Sequence, residues 1–215
     1  MFLLNWGSEN KKTVEGGVDR VVVYSQNLVF GTAFFGDVWD GVVNITHNAI
    51  DTVDTTFWDT RPVRQKHRAF GITGTVEAYT TPKAFHTKLA PGVVLGGQPI
   101  PITHLSYRTM ISRATATTNP EYAITLIYGA MFRSAESRAQ SFDQNPNAEL
   151  KSWSFSAYPW VDLYPHTAPV HLTIKTGEAA PELVAELEHR LYGAPNAFAY
   201  MPSLAQVTDL VETYG

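Results

Sequence analysis

Three groups of residues have the types and spacing to do chemistry. Asp162, His166 and His171 combine a carboxylate with two imidazoles, a donor set that zinc accepts. Against a metal site, His171 falls on the polar side of an alternating run, and Pro165 interrupts the approach to it. Trp153, Phe155, Tyr158, Trp160 and Tyr164 form a dense aromatic cluster, the kind of face on which a β-sandwich lectin stacks sugars. Trp153 and Phe155 share the inward alternation of core residues, however, and that favours a core over a sugar platform. The third group is the segment from Asn48 to Arg68. It begins acidic (Asp51, Asp54, Asp59) and ends basic (Arg61, Arg64, Lys66, His67, Arg68), with Phe57 and Trp58 between. Such a segment suits contact with another surface rather than catalysis.

The remaining candidates are bland. His86 and His104 stand apart from other ligand types and read as structural, and Glu77 reads as part of a solvated strand face. Gly16-Gly17 lacks both the phosphate-loop spacing and the strand-then-helix context it would need. Neither G-x-S-x-G nor H-E-x-x-H occurs. The sequence therefore assigns no catalytic residue, cofactor or metal, and the chain reads as a non-enzyme.

The elements that must position these residues are mostly strands. Alternation with a period of two runs through Val43–His47, Ile72–Ala78, Leu105–Ile111, Tyr122–Tyr128, Trp153–Ala157 and Val170–Ile174. Val18–Tyr24 is more continuously apolar and reads as a strand covered on both faces. Gly, Pro and Asn separate these runs, which predicts an antiparallel sandwich or barrel. Two helices are expected. Pro181–Tyr192 carries Leu183, Leu187 and Leu191 on one stripe, with proline in the first turn, Gly193 at the end and a Glu186–Arg190 pair. Ser203–Thr213 has a capping-box start at Ser203 and Gln206, with Leu204, Val207, Leu210 and Val211 on one face. Ala194–Pro202 reads as an extended tether, so residues 194–215 form a C-terminal arm on a domain spanning 1–193 with its own N-terminal arm. Asn48–Arg68 reads as a long loop, and Ser134–Gln140 as partly helical.

Composition narrows the class. Charged residues are 17%, against about 25% in ordinary soluble domains, while aromatics reach 12%. A surface poor in charge and rich in rings is one that partners cover, or else the mark of a large sandwich core. The net charge of −4 argues against a protein that grips nucleic acid by neutralising phosphates. With no cysteine, disulfides and thiolate sites are excluded. Met1–Trp6 is too short and lacks the basic start of a signal peptide, and no apolar run approaches the roughly 18 residues of a membrane span. Synthesis and folding in a cytoplasm are expected.

The order of motifs carries a resemblance. EGGVDRVVVY (15–24) is followed by Trp39-Asp40-Gly41 and VVNITH, then GITGTVEAYTTPKAF (71–85), LSYRTMI (105–111) and YAITLIYGA (122–130). SWSFSA (152–157), APVHLTI, LVAELEHRLYG and MPSLAQVTDLV close the series. In this order and spacing the chain, from about residue 15 to residue 213, resembles the major tail tube proteins of long-tailed, siphovirus-type phages, especially those of actinobacteria. The resemblance implies a mainly β sandwich or barrel with a flanking helix, copies in rings of six, and rings stacked into a tube that carries double-stranded DNA. It also implies a place in the virion tail beside tape measure, tail-tip and terminator proteins. The Asn48–Arg68 segment departs from the family, which tends to be Pro/Gly-rich and acidic there. Contacts between rings are expected from Asp54, Phe57, Trp58, Arg61 and Arg64, and from Leu204, Val207 and Leu210 of the arm. A carbohydrate-binding sandwich is the alternative.

Overall fold

In the computed structural model, residues 13–26, 34–59, 61–85, 87–90, 93–95, 100–113, 121–133, 149–158, 170–195 and 197–215 are described. The strands are β1 (Thr13–Gln26), β2 (Phe34–Val38), β3 (Val42–Trp58), β4 (Arg61–Ala78), β5 (Thr87–Ala90), β6 (Val93–Leu95), β7 (Thr103–Arg113), β8 (Glu121–Phe132), β9 (Lys151–Ala157) and β10 (His171–Lys175). The helices are α1 (Pro181–Tyr192) and α2 (Leu204–Tyr214). The fold is mainly β with two helices, as the alternating runs predict.

One antiparallel sheet has the order β2-β1-β7-β8-β9-β4-β3, with β10 added beside β8. Strand β8 changes partner along its length. Ala123–Ile127 pair with β10, while Ala130–Phe132 pair with β9. Gly129 lies between these stretches at φ 69°, a left-handed conformation that suits glycine. The Gly129 N–H donates to Nδ1 of His104 at 2.9 Å, so that ring must be unprotonated at this atom. Burial pushes the His104 imidazole down to about pH 4. His104 is thus structural: it pins the bend at which the sheet divides.

Alternation along the strands makes two cores. Val21 and Val23 of β1 face a core with Leu105, Tyr107, Ile127, Ile72, Val76, Trp153 and Phe155, and Val22 and Tyr24 face the other way. In the first core, Trp39 meets Phe85, Phe132 and Trp153 edge-on at centroid distances of 5.3, 5.8 and 6.1 Å, and its indole N–H donates to the Thr80 carbonyl. A Cβ on Gly74 would run into the Phe155 ring and the Thr46 carbonyl, so only glycine lets that ring lie across β4. The second core lies under the helices, where Val22, Tyr24, Ile124 and Leu126 pack against Val184, Leu187, Leu191, Met201 and Val207. The layers therefore run helices, β1-β7-β8, first core, β3-β4-β9.

Polar contacts lock α1 onto this stack. The Tyr24 hydroxyl donates to the Leu191 carbonyl and shares a hydrogen bond with Ser106, both at 2.9 Å. Arg108 of β7 reaches Asp19 at 2.6 Å and Glu188 of α1 at 3.2 Å, and its guanidinium lies 4.2 Å from the centre of the Tyr122 ring. The hydrogen bond from Arg108 holds the Asp19 carboxyl below the usual carboxylate range.

Candidate assembly surfaces

The segment expected to be a loop, Asn48–Arg68, is a β-hairpin. Strands β3 and β4 stay paired to their tips, through Asp51↔Ala69, Val53↔His67, Asp54↔Lys66 and Thr56↔Arg64 to Trp58↔Arg61. Asp59 starts the two-residue turn at φ 45°, a left-handed value that aspartate tolerates better than most residues. The correction has a physical reason. Thr, Val, Phe and Trp are strong strand formers. The stretch lacks apolar alternation, so residue type alone carries its strand character.

Beyond Gly71 this hairpin leaves the sheet. Strand β9 pairs with β4 only over Ile72–Ala78. Residues 51–69 therefore form a ribbon of two strands, with no further described strand on either edge. At about 3.4 Å per residue it is roughly 25 Å long. A lone two-stranded ribbon is marginal in water. Asp54 and Lys66 are register partners across it. Arg61 is exposed near the turn. The side chains of Asp54, Phe57, Trp58 and Arg64 lie outside the described residues.

The opposite edge of the sheet is covered by the chain itself. The Gly36 N–H of β2 donates to the Ala199 carbonyl at 2.9 Å, the Met201 N–H donates to the Phe34 carbonyl at 3.1 Å, and Phe35 bridges to Tyr200. The expected tether is thus a strip of extra strand. The Tyr200 N–H also donates to the Arg190 carbonyl of α1 at 2.8 Å. Helix α2 then docks back on its own subunit. Val207 and Leu210 are buried, and Leu204 is half-buried. The stripe of Val207 and Leu210, expected to meet the next ring, is packed within the subunit. The capping box at Ser203 and Gln206 forms as its spacing predicts, with reciprocal bonds of 3.3 and 2.9 Å. Val211, Tyr214 and Phe198 remain exposed, and Phe198 stands edge-on to Phe35 at 5.9 Å.

The other candidates resolve in part. Trp153 and Phe155 are buried in the first core, which removes both from any sugar-stacking face. Tyr158 is exposed, while Trp160 and Tyr164 lie outside the described residues, as do His86, Asp162, His166 and the segment Ser134–Gln140. His171 is exposed on β10 and its ring lies 5.5 Å from that of His47, which in turn bonds the Tyr107 hydroxyl at 3.0 Å. Among the described residues no three His, Asp or Glu side chains gather as metal ligands. No described helix is long and apolar enough to cross a membrane. No family model, curated protein or solved structure matches this chain.

The outer face of β3-β4-β9 was not singled out by the sequence. Asn44, Glu77 and Ser152 lie side by side across the three strands, followed by Thr46, Thr75 and Ser154, then Asn48, Thr73 and Ser156. Eight short polar side chains and Glu77 thus form a flat grid, opposite the core face that holds Ile45, Val76 and Trp153. A shallow groove of about 410 Å³ runs over it, bounded by Met131, Arg133 and Tyr158. Its signal was present as three runs of Ser, Thr and Asn at every second position.

Proposed function

We propose that the chain is a structural subunit of a siphovirus-type phage tail tube, assembling into stacked six-membered rings that enclose a path for double-stranded DNA. The resemblance in motif order supports this reading. The observation that carries it is the β3–β4 ribbon, about 25 Å of paired strand that leaves the sheet with no further described strand on either edge. Ring formation needs two different patches that meet head to tail with closing rotation. Strand edges supply such patches, since pairing across subunits satisfies backbone groups that otherwise invite aggregation. The ribbon reaches the next ring, and the sheet edge meets the neighbour within the ring. Exposed ion pairs give only about 0–1 kcal/mol each, so apolar and backbone contacts dominate the affinity.

The role needs no catalytic residue. At −4 per copy, a ring of six carries about −24, a field that favours release of DNA over its capture. The tube in the virion would also meet tape measure, tail-tip and terminator proteins. Negative-stain microscopy of concentrated protein tests the proposal: hollow rods are expected. A monomer at every concentration that titrates with oligosaccharide would favour the sugar-binding alternative instead.

A further inference from the structure

We propose that the hydroxyl and amide grid on β3-β4-β9 is the wall of the bore, the surface past which DNA slides. This rests on the tail tube reading and adds to it the identity of the lining residues. Four observations converge on that face.

The first is chemistry. The nine positions are three Thr, three Ser, two Asn and Glu77, with no Lys or Arg among them. A cation on the wall would hold phosphates through counterion release. Short hydroxyls and amides instead keep a water layer and offer hydrogen bonds that water exchanges freely. The Asn44 amide donates to Glu77 at 3.3 Å, holding the grid's one carboxylate sideways along the sheet. Arg133 lines the same groove, its N–H bonded to the Ser154 carbonyl, so a cation flanks the grid on its β8 side without belonging to the nine positions.

The second is shape. At about 6.8 Å between alternate residues and 4.8 Å between strands, the grid is a flat patch of roughly 13 by 10 Å in which eight of the nine side chains are short. The third is layering. Nothing described packs over the grid, whereas α1 and α2 cover the far side of the molecule. A ring has least room on its inner side, so the bulky layer belongs outside. The helical surface also carries Glu182, Glu186, His189 and Arg190, a denser set of charges than the grid's single Glu77. The fourth is continuity. Strand β3 is both the first column of the grid and the edge of the sheet, so a neighbour that pairs there extends the same polar face around the ring.

The chain has no cysteine, so single thiols report their surroundings cleanly. Thr75→Cys and Ser154→Cys probe the grid, and Glu182→Cys probes the helical face. Each full-length variant is treated, before and after assembly, with a small maleimide and with one carried on a polymer too bulky to enter a tube. Before assembly all three thiols should react with both reagents. In tubes, Glu182→Cys should keep its reactivity, while Thr75→Cys and Ser154→Cys should slow by more than about tenfold toward the bulky reagent only. Loss of reaction with both reagents would place the grid in a subunit contact and overturn the inference. Equal reaction of grid and helix thiols with the bulky reagent would place the grid on the outside and overturn it as well. Absence of tubes from the unmodified protein would instead overturn the tail tube reading itself, and the bore with it.

Discussion

At the β2 edge of the sheet the chain finishes its own surface; at the β3 edge no described segment adds a further strand. Residues 199–201 add a strand's worth of hydrogen bonds to Phe34–Gly36, and α2 then locks that strip down by burying Val207 and Leu210. Strand β3 runs 17 residues, and in its outer half it has β4 as its sole described strand partner. It approaches β1 where the sheet curls round, without forming a ladder to it. Long open edges are ordinarily suppressed because they template aggregation. On the tail tube proposal, the covered edge serves the stability of the subunit and the β3 edge serves association.

The strongest way to break this contrast is to remove the ribbon. Deleting residues 52–66 joins Asp51 to His67 and leaves His67-Arg68 as a two-residue connection before Ala69, the partner of Asp51. The product should remain a folded monomer with a nearly unchanged Tm and form no tubes. Abundant normal tubes from the deletion, seen by sedimentation, would remove the ribbon from assembly.

The next largest effect belongs to the covered edge. Leu210→Ala should cost about 2–4 kcal/mol in chemical denaturation, because Leu210 is 5% exposed and its loss leaves a cavity under α2. Val211→Ala, on the exposed side of the same helix, should cost under about 0.5 kcal/mol. Equal effects would mean that α2 is not docked in cis.

Acid sharpens the comparison from within. His104 stacks on Phe34 of β2 at 3.9 Å and must be neutral to accept from Gly129. Its folded pKa, about 4, lies below the unfolded value near 6.5. The unfolded chain therefore binds the proton first as pH falls. Stability is complete above about pH 6.5, declines from there to about pH 4, and is then flat with respect to this group, a loss of roughly 3 kcal/mol. His47, lowered by burial and by His171, acts in the same direction. Asp19, also lowered, acts only at more acid pH, below the unfolded carboxylate value. His104→Gln should flatten most of the slope measured between pH 6.5 and 4, and an unaltered slope would assign it elsewhere.

The smallest effect is at the cap. Ser203→Ala removes one half of the capping box and should cost about 1 kcal/mol with assembly retained.

Which parts of the molecule were legible follows from what pattern reading detects. Strands β1, β7, β8 and β9 and the first helix stood out because each has a core on at least one side that imposes alternation, or a helical stripe with proline and glycine at its ends. Gly193, at φ 83° after α1, occupies the place the sequence gives it. The hairpin was hidden for the opposite reason: residues 51–69 carry no apolar period to read, only strand-forming residue types. Strand β2 was hidden because both its faces are occupied, Phe34 against His104 and Phe35 against Phe198. Adjacent phenylalanines do not alternate. The docking of α2 could not be decided from its stripe alone, since Val207 and Leu210 would look the same facing a neighbour. The polar grid was written in the strands as alternating Ser, Thr and Asn, but only the register of three strands turns those residues into one surface.

Hydrogen exchange measured before and after assembly tests the contrast most directly. On tube formation, the amides of Val42–Trp58 that β4 does not hold should slow by at least about tenfold, while the Gly36 amide, already bonded to Ala199, stays as protected as before. Tubes in which β3 exchanges as fast as in the free subunit, or in which Gly36 gains protection instead, would contradict the claim that identical copies complete the open edge.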